Sequence, residues 1–361
     1  MPETLKIKGV VDADAHVDET DETWDYMSAD EKRYYRPITV DPGAVGQVAV
    51  KGDVRPQRFW LVDGRTGLRR WREDERTGTT RETRELVDVP ARLRHMDEMG
   101  VDVQVIYPTY LLAPPSSNPE IELAIYRSYN RWLADKTAAS NGRLRWVVVP
   151  PMLSMDKTIE ELRYGKEHGA VGVFKRAVDY GKAISDPYFY PLYEEAERLG
   201  LPICTHTGGD NGGAGNMSRP QVGVFTSLVT RNVPERFPKL RFGVVEAMAS
   251  WISYVIADQR AKNAYSGSQK RYSENPMSEP EEDFMRANRF YITCQTSEDI
   301  PYLVRTGCED SLIVGTDYTH GDQASVLDAL NYIEDLGEQE EITMDQARKI
   351  LVDNPRAFYG L

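Results

Sequence analysis

Residues 10–16 read VVDADAH, an apolar run that ends on an acidic residue and a histidine two positions apart. Side chains alternate along an extended chain, so Asp14 and His16 share one face and can reach one ion, while Ala13 and Ala15 face away. Three further segments finish the same way: LPICTH at His206, LRFGVVE at Glu246 and SLIVGTD at Asp317. Strands that deliver metal-capable side chains at their carboxyl ends, repeated along one chain, are how a parallel barrel builds a metal site at its mouth.

The intervening sequence supplies the helices such a barrel needs. Residues 91–99 read as a helix closed by Gly100, followed by VDVQVIYPT, a β-branched strand ending near Thr109. A helix over 119–139, the strand RLRWVVVP, a helix over 155–168 closed by Gly169 and the strand AVGVFK ending at Lys175 repeat the unit. Asp186 and Pro187, a good cap and a good first helical residue, open a helix running to Gly200. Helices over 221–233 and 248–262, the strand RFYITC, and helices over 299–306 and 323–335 complete eight strand–helix units, an α/β (β/α)8 TIM barrel. From Thr343 onward one more helix is expected to stop near Asn354 and Pro355, leaving an apolar tail, AFYGL, to dock on the barrel wall.

Two segments fall outside the repeat. Residues 17–90 form an insertion after the first strand, in which RFWLVDGRTGLRRW sets Asp63 and Gly64 between apolar runs as a hairpin turn. Its arginines between Arg55 and Arg84 interleave with Glu73, Asp74, Glu75, Glu82 and Glu85, which reads as a solvated mixed-charge lid or subunit contact. A polar stretch over 264–285 reads as a surface excursion.

Composition bounds the partners. A chain of 361 residues, 40% hydrophobic, can bury one large core, so one barrel domain over 1–361 carrying its insertion is expected. With 44 Lys plus Arg against 57 Asp plus Glu, the net charge of −13 disfavours nucleic acid and suits a small-molecule substrate held by local positive groups. Cys204, Cys294 and Cys308 show no disulfide or CxxC spacing, and no long apolar run marks a signal or a membrane span, so a cytoplasmic protein with no membrane partner is expected.

The chemistry is read at the strand ends. The expected metal ligands are Asp14, His16, His206, Glu246 and Asp317. Glu246, flanked by apolar residues, needs a cation, a proton or a salt bridge to a residue such as Lys175. Asp317 either binds the ion or deprotonates a bound water, and His320, three residues on, suits substrate or outer duty better than sharing the ion of Asp317. Lys175 is a candidate for a substrate carboxylate, with Arg176 beside it pointing outward; Thr109, Gln295 and Tyr107 are further candidate substrate contacts. His206 precedes a loop carrying Gly208, Gly209, Gly212, Gly213 and Gly215, which lacks a nucleotide-binding pattern. His95, on a helix, and His168, at a helix end, read as structural.

The DADAH start, RHMDEMGVDVQVIYPT, CTHTGG, FGVVEAMASW, VGTDYTHGD and ILVDNPRAFYGL together resemble the amidohydrolase superfamily, in particular the branch of aminocarboxymuconate-semialdehyde and resorcylate-type decarboxylases. The resemblance implies a distorted barrel with one or two divalent ions, Asp14 and His16 in the first-strand His-x-His position, His206 as the fifth-strand histidine and Asp317 as the eighth-strand aspartate. Glu246 stands where the branch carries a sixth-strand histidine, so the residue its usual decarboxylases use there is replaced; the expected catalytic residues are Glu246, Asp317 and His320, and the acidic ligand set is harder, suited to manganese or iron as well as zinc. The expected function is a metal-dependent hydrolase or non-oxidative decarboxylase of a small carboxylate. The alternatives are a dinuclear iron or manganese–iron monooxygenase resembling aminoisobutyrate hydroxylase, or the metal-binding subunit that supports such an enzyme. A homo-oligomer, or a hetero-oligomer with a related barrel chain, accompanies these readings.

Overall fold

Each apolar run becomes a parallel strand because both of its faces are covered, one by barrel interior and one by helices. The computed structural model describes residues 5–40, 49–50, 53–54, 58–69, 72, 74–207, 219–266, 284–321 and 325–361. The strands are β1 (Val11–His16), β2 (Val103–Tyr107), β3 (Leu144–Val148), β4 (Ala170–Lys175), β5 (Ile203–His206), β6 (Phe242–Val245), β7 (Phe290–Cys294) and β8 (Leu312–Val314). They pair in chain order, every neighbour parallel. The seam between β8 and β1 is closed by a single parallel bridge between Ala15 and Tyr318, with His16 N–H donating to the Tyr318 carbonyl (2.9 Å) and Asp317 N–H to the Asp14 carbonyl (2.9 Å). The outcome is the expected (β/α)8 barrel.

Eight helices follow the strands: α1 (Val89–Met99), α2 (Pro119–Ala138), α3 (Met155–Glu167), α4 (Tyr190–Leu199), α5 (Arg219–Thr230), α6 (Trp251–Ser266), α7 (Ile300–Leu303) and α8 (Ala329–Glu338). Their ends obey local chemistry. Asp88 caps α1 by accepting from Ala91 N–H (2.9 Å), and Gly100 (φ 72°) ends it in the left-handed conformation that glycine adopts without steric cost.

Two helical expectations are corrected. Helix α8 starts at Ala329 and not at 323, because Val326 N–H donates to the Thr316 carbonyl and the Ser325 hydroxyl to the carbonyls of Asp317 and His320, which keeps this stretch folded back on β8. The C-terminal helix does not stop at Pro355. A π turn over Lys349–Asp353 absorbs the missing N–H, and a new helix, Asn354–Tyr359, carries Pro355 in its first turn. Asn354 secures the join by donating to the carbonyls of Glu309 and Leu312. The AFYGL tail does dock: Arg356 donates to the Gly9 carbonyl, and the buried Tyr359 hydroxyl to that of Ala13 (2.6 Å). Phe358 lies so near Gly243 that a Cβ there would stand 2.2 Å from its ring.

The insertion carries the expected hairpin, Arg58–Val62 against Arg65–Arg69, turned by Asp63 (φ 50°) and Gly64 (φ 68°), the pair of left-handed residues a tight type I′ turn requires. Ile38–Val40 adds a third strand. Trp24 and Trp60 are buried together, 5.5 Å apart edge to face, and both pack near Tyr110 in the loop after β2. The mixed-charge surface expected here is corrected at Arg84, which is buried and pairs with Asp74 (2.8 Å) and Asp18 (3.6 Å). The glycine-rich loop at Gly208 to Gly215 and nearly all of the 264–285 stretch lie outside the described residues. Among the described residues, no helix is long and apolar enough to cross a membrane.

Candidate metal centre

The ends of β1 and β5 bring the donor atoms of Asp14, His16 and His206 together, and the end of β8 brings Asp317 to His16. His206 Nε2 lies 3.2 Å from His16 Nε2 and 3.3 Å from Asp14 Oδ1, and His16 Nε2 lies 3.4 Å from Asp14 Oδ1 and 3.3 Å from Asp317 Oδ1. All four residues are buried. Each ring is fixed from behind: His16 Nδ1 faces the Pro108 carbonyl (2.8 Å) and His206 Nδ1 the Thr207 carbonyl (2.7 Å). A carbonyl can only accept, so each Nδ1 carries the proton and each Nε2 presents its lone pair to the centre, the orientation outer-shell partners give to metal-binding histidines.

Two inward lone pairs beside two carboxylates need positive charge among them. Burial opposes charge on Asp14, yet the facing His206 and His16 hold its carboxyl below the usual range. Burial likewise opposes charge on His206, but Asp14 and Glu246 push it up to about 9, while burial lowers His16. A proton on His206 meets this demand, and so would a divalent cation held by Asp14, His16 and His206, with Asp317 beside His16; imidazole nitrogens with carboxylate oxygens fit a hard or borderline ion.

Asp317 reaches the cluster from a left-handed backbone conformation (φ 50°), as does Glu246 (φ 53°), a strained geometry for a residue with a side chain. Glu246 is nevertheless not gathered with the other expected ligands. Its Oε2 accepts from the Thr207 hydroxyl (2.9 Å) and lies 3.5 Å from His206 Nδ1, on the side of the ring away from Asp14 and His16. Lys175, the residue named for a salt bridge to Glu246, is buried, pairs with Asp179 and sits 3.8 Å from the Phe189 ring centre. Arg176 is not outward but buried, pairing with Asp179 (2.8 Å) and donating to the carbonyls of Leu111 and Leu112.

His320 sits closer to Asp317 than its spacing suggested. Its Nδ1 is 2.6 Å from Asp317 Oδ1, its Nε2 is 3.1 Å from the Thr109 hydroxyl, and its ring stacks on His16 with centres 3.9 Å apart. His16, Asp317 and His320 thus form a second donor group, its atoms within 4.8 Å of one another, beside the group of Asp14, His16 and His206. Tyr107 turns to the C-terminal tail, its hydroxyl 2.7 Å from that of Tyr359, and Gln295 is half-buried, its N–H donated to Glu298. His168 bonds its own helix carbonyl at Tyr164, while His95 reaches the Tyr318 hydroxyl (2.6 Å).

Reading the strand ends misses the wall behind them. Asp12 accepts from Thr316 N–H (2.9 Å), the Thr316 hydroxyl (2.7 Å) and Gln104 Nε2 (2.8 Å), binding β1, β2 and β8 together, and burial pushes its carboxyl up to about 6. Its signal in the sequence is parity, since residues 12, 14 and 16 alternate alike. Arg92 had no signal beyond being an arginine among apolar helix positions. Fully buried, it donates to Gln104 Oε1 (2.8 Å) and to the carbonyls of Thr83 (3.2 Å) and His16 (3.3 Å), and its guanidinium lies 3.5 Å from the Tyr318 ring centre. It therefore grips both sides of the seam. Arg92→Met strands these acceptors in the core, and chemical denaturation is expected to show a loss of roughly 3 kcal/mol; an unchanged midpoint would assign the seam's strength elsewhere.

Fold and donor set define the class: a closed parallel barrel with an imidazole–carboxylate cluster at the carboxyl ends of its strands. The chain belongs to the amidohydrolase family, whose model, described as Amidohydrolase, matches residues 11–272. Over 120 residues it is 26% identical to the 2-amino-3-carboxymuconate-6-semialdehyde decarboxylase of Dictyostelium discoideum, a match spanning 33% of each chain. An amidohydrolase from Mycobacterium avium subsp. paratuberculosis K-10 superposes with a TM-score of 0.77 over 99% of this chain and 100% of its own, at 16% identity. The 5-carboxyvanillate decarboxylase of Novosphingobium aromaticivorans DSM 12444, with bound manganese and 3-methoxy-4-hydroxy-5-nitrobenzoic acid, superposes with a TM-score of 0.66 over 80% of this chain and 85% of its own, at 16% identity. At these identities the two structures establish a shared fold.

Proposed function

We propose that this chain is a divalent-metal-dependent, non-oxidative decarboxylase of a small aromatic or unsaturated carboxylic acid. The gathering of Asp14, His16 and His206, with Asp317 joined to them at His16, carries the reading. The decarboxylase relatives, one with manganese bound, support the reaction and the metal. An ion held there would supply positive charge to polarise a substrate oxygen.

The chain's own groups handle the proton. Decarboxylation breaks the bond between the carboxyl carbon and its neighbour, leaves the electron pair on that neighbour, and needs one proton delivered there as carbon dioxide departs. His320, its Nδ1 2.6 Å from Asp317 Oδ1 and its Nε2 3.1 Å from the Thr109 hydroxyl, is assigned to carry it. Glu246 is assigned to orient His206 from its Nδ1 side. Lys175 pairs with Asp179, and Thr109 and Gln295 are assigned as polar contacts for substrate.

The test loads chelator-stripped protein with manganese and offers a panel of carboxyl-labelled aromatic and enoic acids. The expected result is labelled carbon dioxide equimolar with substrate lost, without oxygen uptake, abolished by chelator and restored by manganese. Turnover by metal-free protein would sink the metal's role. Label retained in a product split at an amide or ester would make the enzyme a hydrolase.

A further inference from the structure

The loop after β2, residues 108–112, touches both histidines of the centre that lie on its side of the mouth. The Pro108 carbonyl accepts from His16 Nδ1, and the Thr109 hydroxyl meets His320 Nε2. Two buried ionisable side chains from other parts of the barrel hold this loop. Glu19, just beyond β1, receives the N–H groups of Thr109 (3.0 Å), Tyr110 (2.8 Å) and Leu111 (3.5 Å). Arg176, just beyond β4, donates to the carbonyls of Leu111 (2.6 Å) and Leu112 (2.6 Å), and is itself fixed by Asp179 and the Tyr126 hydroxyl. One buried carboxyl group, which burial pushes up to about 7, takes the loop's donors, and one guanidinium its acceptors.

We infer that Glu19 and Arg176 are positioning residues for the metal centre: by clamping residues 108–112 from both sides they set the orientation of the His16 ring, and through it the affinity for the ion. Burying a carboxylate on backbone N–H groups alone is costly. That cost fits a loop whose placement matters to more than its own packing. A carbonyl that moves by a few tenths of an ångström no longer holds Nδ1–H in line, and the ring is free to turn its Nε2 from the centre. The inference rests on the proposal that the cluster of Asp14, His16 and His206 binds a divalent ion.

The barrel supplies its own control. Glu122 is another buried carboxylate that holds a loop, accepting from Met152 N–H (3.1 Å), Leu153 N–H (2.9 Å) and the Tyr180 hydroxyl (2.8 Å), but the described contacts of that loop do not include a histidine of the centre. Full-length wild type, Glu19→Gln, Arg176→Lys and Glu122→Gln are titrated with manganese alone, free ion being read by electron paramagnetic resonance, and each is unfolded by denaturant in chelator. Lysine keeps the charge of Arg176 but not the fork that spans two carbonyls.

The expected result is a Kd for manganese raised about tenfold in Glu19→Gln and in Arg176→Lys, the size of effect outer-shell partners have. Glu122→Gln is expected to lose stability while its Kd stays within about twofold of wild type. Should Glu19→Gln fail to fold, Arg176→Lys decides alone. Kd values for the clamp variants within twofold of wild type, or an equal shift in Glu122→Gln, would overturn the inference. Wild type that takes up no manganese would instead bring down the metal reading on which it rests.

Discussion

His206→Ala is expected to lose its metal and its activity together, with affinity for manganese down by more than about 100-fold, beyond what an outer-shell change does. The reason is the position of Nε2, 3.2 Å from His16 Nε2 and 3.3 Å from Asp14 Oδ1. Removing the ring takes one of the three donors gathered here and leaves Asp14, which His206 and His16 hold charged against its burial, with a weaker partner set. Glu246→Gln makes the informative contrast. Were Glu246 a ligand, its loss would rival that of His206. Standing behind the ring at 3.5 Å from Nδ1, it should cost about tenfold in affinity, the glutamine oxygen still accepting from the Thr207 hydroxyl. Metal content after dialysis against graded manganese separates the two, and equal losses in both variants would return Glu246 to the ligand set.

The contrast also marks where a one-dimensional reading stops. Strand ends are legible because burial and alternation are properties of neighbouring residues: VVDADAH, LPICTH and SLIVGTD each show an apolar run and a terminal metal-capable residue, and Asp14, His16 and His206 do come together, with Asp317 against His16. Glu246 shows the same pattern and the same left-handed backbone as Asp317, yet its carboxylate goes to the Thr207 hydroxyl and the Nδ1 side of His206, and nothing in LRFGVVE announces that difference. His320 was underestimated for a related reason. Three residues is a poor spacing for two side chains in extended chain, but a hydrogen bond from His320 N–H to the Asp317 carbonyl (3.0 Å) folds the segment back and sets the imidazole against the carboxylate. Arg92, Glu19 and Arg176 act on carbonyls and N–H groups far away in sequence, at separations that carry no local pattern. Hydrophobic periodicity reports which face is buried; it does not report which backbone atom a buried charge will find.

Gly315→Ala should be the most damaging single methyl group in the barrel's seam. A Cβ at Gly315 would stand 2.3 Å from Asp14 Cβ, 2.6 Å from Asp14 N and 2.8 Å from its Cα. These are atoms of β1 itself, not the end of a flexible side chain, so relief requires β8 to move away from β1 and strains the Ala15–Tyr318 bridge and the Asp12–Thr316 bonds that join them. Overpacking of this kind costs about 3 kcal/mol or more, a fall in melting temperature on the order of 5 °C for a chain of this size. The displaced atoms belong to a proposed ligand, and the Asp317 N–H that donates to the Asp14 carbonyl belongs to another. Loss of manganese affinity is therefore expected to exceed what a general loosening would produce, by at least about tenfold at temperatures where the variant is still folded. Gly223→Ala is the matched control. Gly223 lies in α5 with nothing within 4 Å of its added methyl, so the same change should leave metal affinity unaltered and raise stability by up to about 1 kcal/mol through helix propensity. If Gly315→Ala binds manganese like wild type while melting lower, the seam serves stability alone, and the ligands on its two sides are held by their own strands and not by the closure of the barrel.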